Sequence, residues 1–293
     1  MPYAGAEVEV RARHLGDGEL SDDFAALNQR LNDGQVFGAR RFQLKEGDLT
    51  IGDGLKASSI ELSLDGGALT VSGLVDASGE QVGSIRLAAR DGLTLGSQSV
   101  LDAHGSLLRV DSYGQTIDSP NRAIVELSSS NGGLVLADGA RIDLRHGTAS
   151  GRSDLVALGT LDFKAPRIGG ATAGDIAIDA SGTYDIQGAA SISVYGMQRY
   201  TDAPLGSDPA TSGKPYQVID QAYLDGKHFE SSAFISAALA NTALMQDKLA
   251  GLNNERYLDA LHLRPGVEIA SATADGDLVV QGDICLLYTS DAA

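Results

Sequence analysis

Leu134-Val135-Leu136-Ala137-Asp138-Gly139-Ala140-Arg141-Ile142-Asp143-Leu144-Arg145-His146-Gly147 is the stretch on which the fold turns. Leu134 and Leu136 point to one side and Val135 to the other. A turn at Gly139 follows, then Ile142 and Leu144 point inward again before Gly147. Apolar–polar alternation over three to five positions marks a strand with one buried face.

The figure recurs. Leu69-Thr70-Val71 is followed by Val75 and Gly79, and Leu93-Thr94-Leu95 by Val100 and Gly105. A looser copy is Leu261-His262-Leu263 with Gly266, Val267 and Ile269. Further short strands are expected at Ile60–Leu64, Ile85–Leu87, Ile124–Leu127, Ile176–Ile178 and Ile192–Val194. Leu69 to Leu93 is 24 residues, Leu93 to Leu134 is 41, and Leu134 to Ile176 is 42. The two longer intervals read as two coils each with added loops. Such a period, built of short strands and Gly-Asp or Gly-Ser turns, predicts an all-β solenoid in which each coil buries its apolar face only against its neighbours. Eight or nine coils at ~4.8 Å per strand would make a rod roughly 40 Å long.

Composition agrees. The 36 glycines among 293 residues suit many corners, and 43% hydrophobic content is enough for a core. With no Trp and few aromatics, that core is expected to be narrow and aliphatic. A net charge of −17 argues against nucleic acid and against anionic membrane surfaces. Acidic side chains at turns and outward positions would instead keep a long β-surface soluble and unpaired. Cys285 is the one cysteine, so no disulfide can form within one chain. No run of 18 apolar residues predicts a membrane span. Met1-Pro2-Tyr3 does not open a signal peptide, so the chain reads as cytosolic or as an interior piece of a longer exported protein.

Taken in order, residues 1–34 read as a strand and helix forming an N-terminal decoration or cap. Ser21 is the expected N-cap, Asp22 and Asp23 suit the first turn, and Phe24, Leu27 and Leu31 share a face. Residues 35–197 are the expected β-solenoid, interrupted by loops at 111–122 and 145–156. Pro166 predicts an edge or corner position. Residues 198–260 read as a turn-rich linker followed by a short helical insertion over 220–252. There Ile235/Leu239, Ala240/Leu244 and Met245/Leu249/Leu252 fall at helical spacing, and Asn241-Thr242 is a candidate break. This segment is expected to pack on the side or end of the solenoid, or to serve as a partner-binding appendage. Residues 261–284 continue the solenoid. Residues 285–293 resemble translated adaptor sequence, so no weight is placed on Cys285.

Polysaccharide-cleaving sites need carboxylates paired on adjacent coils, and the candidates are Asp102, Asp111, Asp143 and Asp162. Turn and outward-face solvation is the expected role of all four. His14, His104, His146, His228 and His262 have no helical or hairpin metal-pair spacing and are expected at the solvated surface. Gly132-Gly133 and Gly169-Gly170 are isolated, unlike tandem calcium nonapeptides. Gly52-Asp53-Gly54-Leu55-Lys56-Ala57 imitates a dinucleotide fingerprint without a following helix and reads as a corner. No Gly-x-Ser-x-Gly elbow occurs. No catalytic, cofactor-binding or metal-ligating residue, and no cofactor, is assigned.

With the repeats in hand, the chain resembles a filamentous-haemagglutinin-like exoprotein of two-partner secretion, as a C-terminal-part fragment truncated at both ends. The Leu-x-Leu/Gly-turn repeats across 48–196 carry the likeness. So does the run Leu263-Arg264-Pro265-Gly266-Val267-Glu268-Ile269 with Ser271-Ala272-Thr273 and Asp275-Gly276-Asp277-Leu278, preceded by helical residues. The resemblance implies a right-handed parallel β-helix, exported through an outer-membrane pore partner of a Gram-negative bacterium. It implies a secreted, cell-surface role in adhesion to a host-cell or bacterial receptor, or in carrying a contact-dependent effector. On the residues' own chemistry the chain is expected not to be an enzyme, not to bind nucleic acid and not to insert in a membrane. The family's N-terminal secretion domain, with its Asn-Pro-Asn-type motifs, is not in this sequence. Two other classes are a β-helix polysaccharide lyase or hydrolase and a cytosolic solenoid interaction module. A groove holding a carboxylate cluster with a basic residue would favour the enzyme; a groove without one, the rod.

Overall fold

The computed structural model describes residues 5–148, 157–206 and 215–283. Among these the chain is mostly β, with several parallel sheets and few helices. It opens with β1 (Glu7–Ala12) and α1 (Leu20–Asp33). Next come β2 (Ala39–Leu44), β3 (Leu49–Ile51) and β4 (Leu55–Lys56), then β5 (Ser59–Leu64), β6 (Leu69–Val71) and β7 (Leu74–Asp76). β8 (Ser84–Ala89), β9 (Leu93–Leu95) and β10 (Val100–Asp102) precede β11 (Ile124–Ser129), β12 (Leu134–Leu136) and β13 (Arg141–Asp143). β14 (Gly159–Ile168), β15 (Asp175–Ile176), β16 (Ile178–Asp179) and β17 (Asp185–Gln187) follow. The chain ends with β18 (Ala189–Tyr200), β19 (Tyr216–Ile219), α2 (Gln221–Ala240), a π-helical turn (Ala243–Lys248), β20 (Leu261–Ile269) and β21 (Asp277–Val280).

Most of these strands fall into one long sheet, β1-β2-β5-β8-β11-β14-β18-β20, and two short ones, β3-β6-β9-β12-β16 and β4-β7-β10-β13-β17; β15 pairs antiparallel with β14, and β19 pairs with β21. The chain visits the three in turn, and each circuit lays its strands parallel to and in register with those before. One inward row of the long sheet runs Val10, Phe42, Leu62, Leu87, Leu127, Phe163, Val194, Leu263. Leu69, Leu93 and Leu134 form another in the second sheet, all fully buried. Because strand side chains alternate, every ladder puts one apolar set inside. The corners demand special backbone: Gly67 has φ +111°, and a Cβ there would lie 2.1 Å from the carbonyl oxygen of Gly47 one circuit back.

The expected coil count is corrected. Leu93 pairs directly with Leu134, and Leu134 with Ile178, so each long interval is one circuit rather than two. In the first interval the extra residues lie in the excursion between β10 and β11; in the second, part of them lie between β14 and β16, where β15 folds back on β14. The short sheets have five strands each, and the long sheet spans roughly 35 Å along the stack. Pro166 stands two residues past the last β11–β14 rung, Ser128 opposite Lys164, so its missing N–H removes no rung to β11. Residues 216–219, read as linker, form β19 and pair with β21. The loop expected over 145–156 falls mostly, and the 285–293 tail wholly, outside the described residues.

Helical segments cover both ends of the two short sheets. At one end α1 buries Leu20 and Phe24, and Phe24 meets Phe42 edge-on at 4.9 Å. Ser21 is not the N-cap: its Oγ accepts the edge N–H of Thr50 at 2.9 Å, and Asn32 donates to the carbonyl of Gly54. At the other end Leu244, Leu249 and Leu252 are buried over β16 and β17. Gly251 donates to the carbonyl of Ala180, and Ala180 to that of Lys248. Exposed edge N–H and C=O groups invite pairing with other chains, and these caps satisfy them. In α2 the Asp220 side chain caps the N-terminus by accepting from Tyr223 N–H at 2.8 Å, and Asn241 ends the helix. Its buried face is Leu224, Lys227, Ser231, Phe234 and Ala238; Leu239, expected to pack with Ile235, is exposed.

Candidate functional site

Outward positions of neighbouring strands in register stand about 4.8 Å apart, which is how distant carboxylates come together here. Two such pairs involve the candidates Asp143 and Asp162. On the outer face of the third sheet Asp102 stands opposite Asp143, with Asp76 on its other side. On the outer face of the long sheet Glu126 stands opposite Asp162.

The first pair includes His104. Ligand atoms of Asp102, His104 and Asp143 lie within 4.8 Å of one another, a set that histidine spacing alone did not reveal. Each group is already engaged. Asp102 Oδ1 accepts from the His104 N–H at 3.1 Å and lies 2.6 Å from its Nδ1. Both oxygens of Asp143 accept from Arg145, whose Nε is 2.9 Å from Oδ1. Burial works to raise the Asp143 carboxyl, but the Arg145 hydrogen bonds and charge outweigh it and hold it below the usual carboxylate range. The same device occurs one circuit earlier, where Asp76 accepts from Ser78 N–H and pairs with Lys56 at 2.8 Å. Outside this row, on the second sheet, it recurs at Asp179, which accepts from Ser181. A cation at Asp102 and Asp143 would have to displace Arg145. The repeat makes this row a set of corner-fixing aspartates, each closing the turn two residues on.

The second pair differs. Lys164, two residues after Asp162 on the same face, donates to Glu126 Oε1 at 2.6 Å. Burial pushes the Asp162 carboxyl above the ordinary range; Glu126 adds to this, while Lys164, Ser193 and Arg264 oppose it. A cleft of about 440 Å3 opens over Asp162, lined among others by Arg122, Ser193, Tyr195 and Arg264. One wall is the excursion between β10 and β11. Buried Asn121 clamps that excursion, accepting from Arg109 N–H and donating to the carbonyls of Arg109 and Ile117. Arg122 pairs with Asp118 at the foot of the wall.

The remaining candidates are structural. Asp111 closes a hairpin by accepting from Tyr113 and Gln115 N–H groups. His14 and His146 contact backbone carbonyls, His228 lies on α2, and His262 stands opposite Ser193 on the long sheet. Gly54 of the false fingerprint is a corner at φ +102°. Residue-type reasoning named Asp162 but missed Glu126, Lys164, Tyr195 and Arg264. Their outward phase in separate strands was the available signal; its use needed the register between strands.

Along the rest of this face charges alternate from strand to strand: Glu9, Arg41, Glu61, Arg86, Glu126. Arg41 lies 3.7 Å and Arg86 3.4 Å from Glu61. Such half-exposed pairs each contribute little to stability but penalise like-charge registers. No described helix is long and apolar enough to cross a membrane. No protein-family model, curated protein or solved structure matches the chain.

Proposed function

We propose that this chain is a right-handed parallel β-helical segment of a secreted, surface-displayed filamentous exoprotein. Its work is to extend a rod and present side loops for adhesion, or to carry a contact-dependent effector. The observation that carries the reading is the in-register stacking of inward apolar rows in three parallel ladders through successive circuits. A right-handed crossover is the strongly preferred hand for parallel strands linked in this way. The ordered excursion between β10 and β11 supports presentation. Its hairpin holds Tyr113 at the tip, 87% exposed, with Leu107, Val110 and Ile117 exposed around it. Preorganised aromatic tips on rigid scaffolds are favourable contact groups. In this reading the partners are an outer-membrane pore during export and a surface receptor afterwards.

The test is the genomic sequence on either side of this frame. A signal peptide and secretion domain upstream, with an adjacent pore-protein gene, are expected. A frame that starts at Met1 with no such neighbour would sink the exoprotein reading and favour a cytosolic interaction module.

A further inference from the structure

We propose that the free edge of β1 is a docking edge for an extended polypeptide, which adds to the long sheet as one more parallel strand. The partner is apolar at alternate residues, with basic residues opposite Glu7 and Glu9 and an acidic one opposite Arg11. This surface goes beyond the rod and its loops and does not rest on that reading.

The two outer strands of the long sheet differ. Along a strand, successive residues aim their N–H and C=O groups to opposite sides. Lys45 N–H donates to the carbonyl of Ala12, so in β1 the even residues face β2, and Glu7, Glu9 and Arg11 turn their backbone groups away from it. No described strand pairs with that side. At the opposite end Ile192 N–H donates to the carbonyl of Ala260, and Ala270 N–H to that of Tyr200, so the odd residues of β20 face away from β18. Pro265 is one of them. Its ring removes a donor from the middle of that edge at no cost to the β18 ladder, which protects the edge from further pairing. β1 reads Glu-Val-Glu-Val-Arg-Ala and keeps every donor.

The space beside β1 suits one strand rather than a further circuit. At this end α1 already covers the two short sheets, through the Ser21–Thr50 and Asn32–Gly54 hydrogen bonds. The long sheet is left open, and burial there is unfinished. Val8, Val10 and Ala12 are half-buried, as are Leu27 and Leu31 of α1. An added strand with apolar inward side chains continues the row that runs from Val10 through Phe42 to Leu62.

Charge sets the partner's outward face. Along that face the sign reverses from strand to strand, through Glu9, Arg41, Glu61 and Arg86. Neighbours meet as ion pairs: Arg41 lies 3.0 Å from Glu7 and 3.7 Å from Glu61, and Arg86 lies 3.4 Å from Glu61. At the β1 edge the series ends on the exposed carboxylates of Glu7 and Glu9. Opposite charges directly across two strands stabilise the pairing, and like charges destabilise it. The strand that completes the series therefore carries Lys or Arg opposite Glu7 and Glu9. A second β1 in the same parallel register sets Glu9 against Glu9 and is disfavoured. Main-chain hydrogen bonds supply the affinity, and the side chains the selection.

The test uses the whole chain, isotope-labelled for NMR, with two peptides: acetyl-Lys-Val-Lys-Val-Glu-Val-amide and its sign-reversed form, acetyl-Glu-Val-Glu-Val-Lys-Val-amide. The first is expected to slow amide hydrogen exchange at Glu7, Glu9 and Arg11, while Val8, Val10 and Ala12 are protected before it is added. The reversed peptide should bind at least about tenfold more weakly. Glu9→Pro removes the central outward N–H without touching the β2 ladder and should abolish binding at unchanged thermal unfolding. If that variant unfolds, Glu9→Lys takes its place and should bring the two affinities together. Equal binding of the two peptides by wild type overturns the proposal. So does unchanged exchange at Glu7, Glu9 and Arg11 with the first peptide at millimolar concentration, or full protection of those amides before any peptide is added.

Discussion

Nη1 of Arg40 lies 2.8 Å from Oδ1 of Asn28, inside the protein, where Arg40 has no solvent exposure. Arg40 occupies an inward row in which the next circuits place Ile60, Ile85 and Val125. Its Nη2 reaches Asn32 and its Nε the carbonyl of Val36, so a single strand side chain pins α1 across the end of the stack. Burial pushes its guanidinium down to about 10, which leaves it charged at neutral pH. Arg40→Ala is expected to cost on the order of 3 kcal/mol, because Asn28, Asn32 and Val36 lose their donor in a buried place. Hydrogen exchange should report it first in α1. Unchanged protection of residues 20–33 would show that packing of Phe24 alone holds the cap.

The opposite cap offers a matching test in Tyr257. Its hydroxyl donates to the carbonyl of Tyr184 at 3.0 Å and accepts the edge N–H of Ile186 at 3.1 Å. Tyr257→Phe keeps the ring and strands that N–H at a strand edge. Denaturant unfolding should show a loss of about 1–3 kcal/mol. Equal stability would mean that water reaches Ile186.

Leu136 and Val135 separate the two faces of the second sheet. Leu136 is 3% exposed, and Val135 stands opposite Thr94 on the outer face. Leu136→Asp is expected to destabilise by about 4 kcal/mol or more, since nothing in the stack can solvate the charge. Val135→Asp should be far milder. Similar thermal unfolding of the two variants would refute the face assignment.

Asp143 and Asp162 should respond to pH in opposite senses. The folded Asp143 carboxyl is held low, so its contribution is present above the ordinary value of about 3.9 and is lost as pH falls through its lower folded value. Asp143→Asn should therefore be less stable than wild type at neutral pH, with the gap closing in acid. The folded Asp162 carboxyl sits high, so stability falls as pH rises from about 3.9 through its raised value. Asp162→Asn should gain on wild type over that interval. Chemical unfolding at stepped pH checks both, and a common sign for the two variants would refute the contrast.

Gly196 tests how α2 is seated. A Cβ there would meet the Phe234 ring at 2.2 Å, and the Arg167 guanidinium already covers that ring at 4.1 Å. Gly196→Ala must push the helix away and is expected to cost about 1–3 kcal/mol as overpacking. Faster proteolysis within 221–240 would accompany it. No change in either would place the helix–sheet contact elsewhere.

The sequence by itself determined the strands, their inward faces and the need to stack. Leu134-Val135-Leu136 and Leu93-Thr94-Leu95 declare those properties through alternation, which is local, and Gly67 or Gly139 declares a corner through backbone conformation, which is also local. The tertiary structure alone decided how many residues make a circuit, because an interval of 41 residues closes as readily on one circuit with an excursion as on two. It also decided the roles of polar residues whose type reads the same in a list. Arg40 faces inward because α1 brings it acceptors, and Lys227 lies on the buried face of α2 because Asp202 and Glu230 pair with it and two tyrosine rings cover it. Glu126 and Asp162 are 36 residues apart in the chain and adjacent only because β11 and β14 pair in that register. Register is set by the summed burial of whole rows, a property of the stack rather than of any one strand.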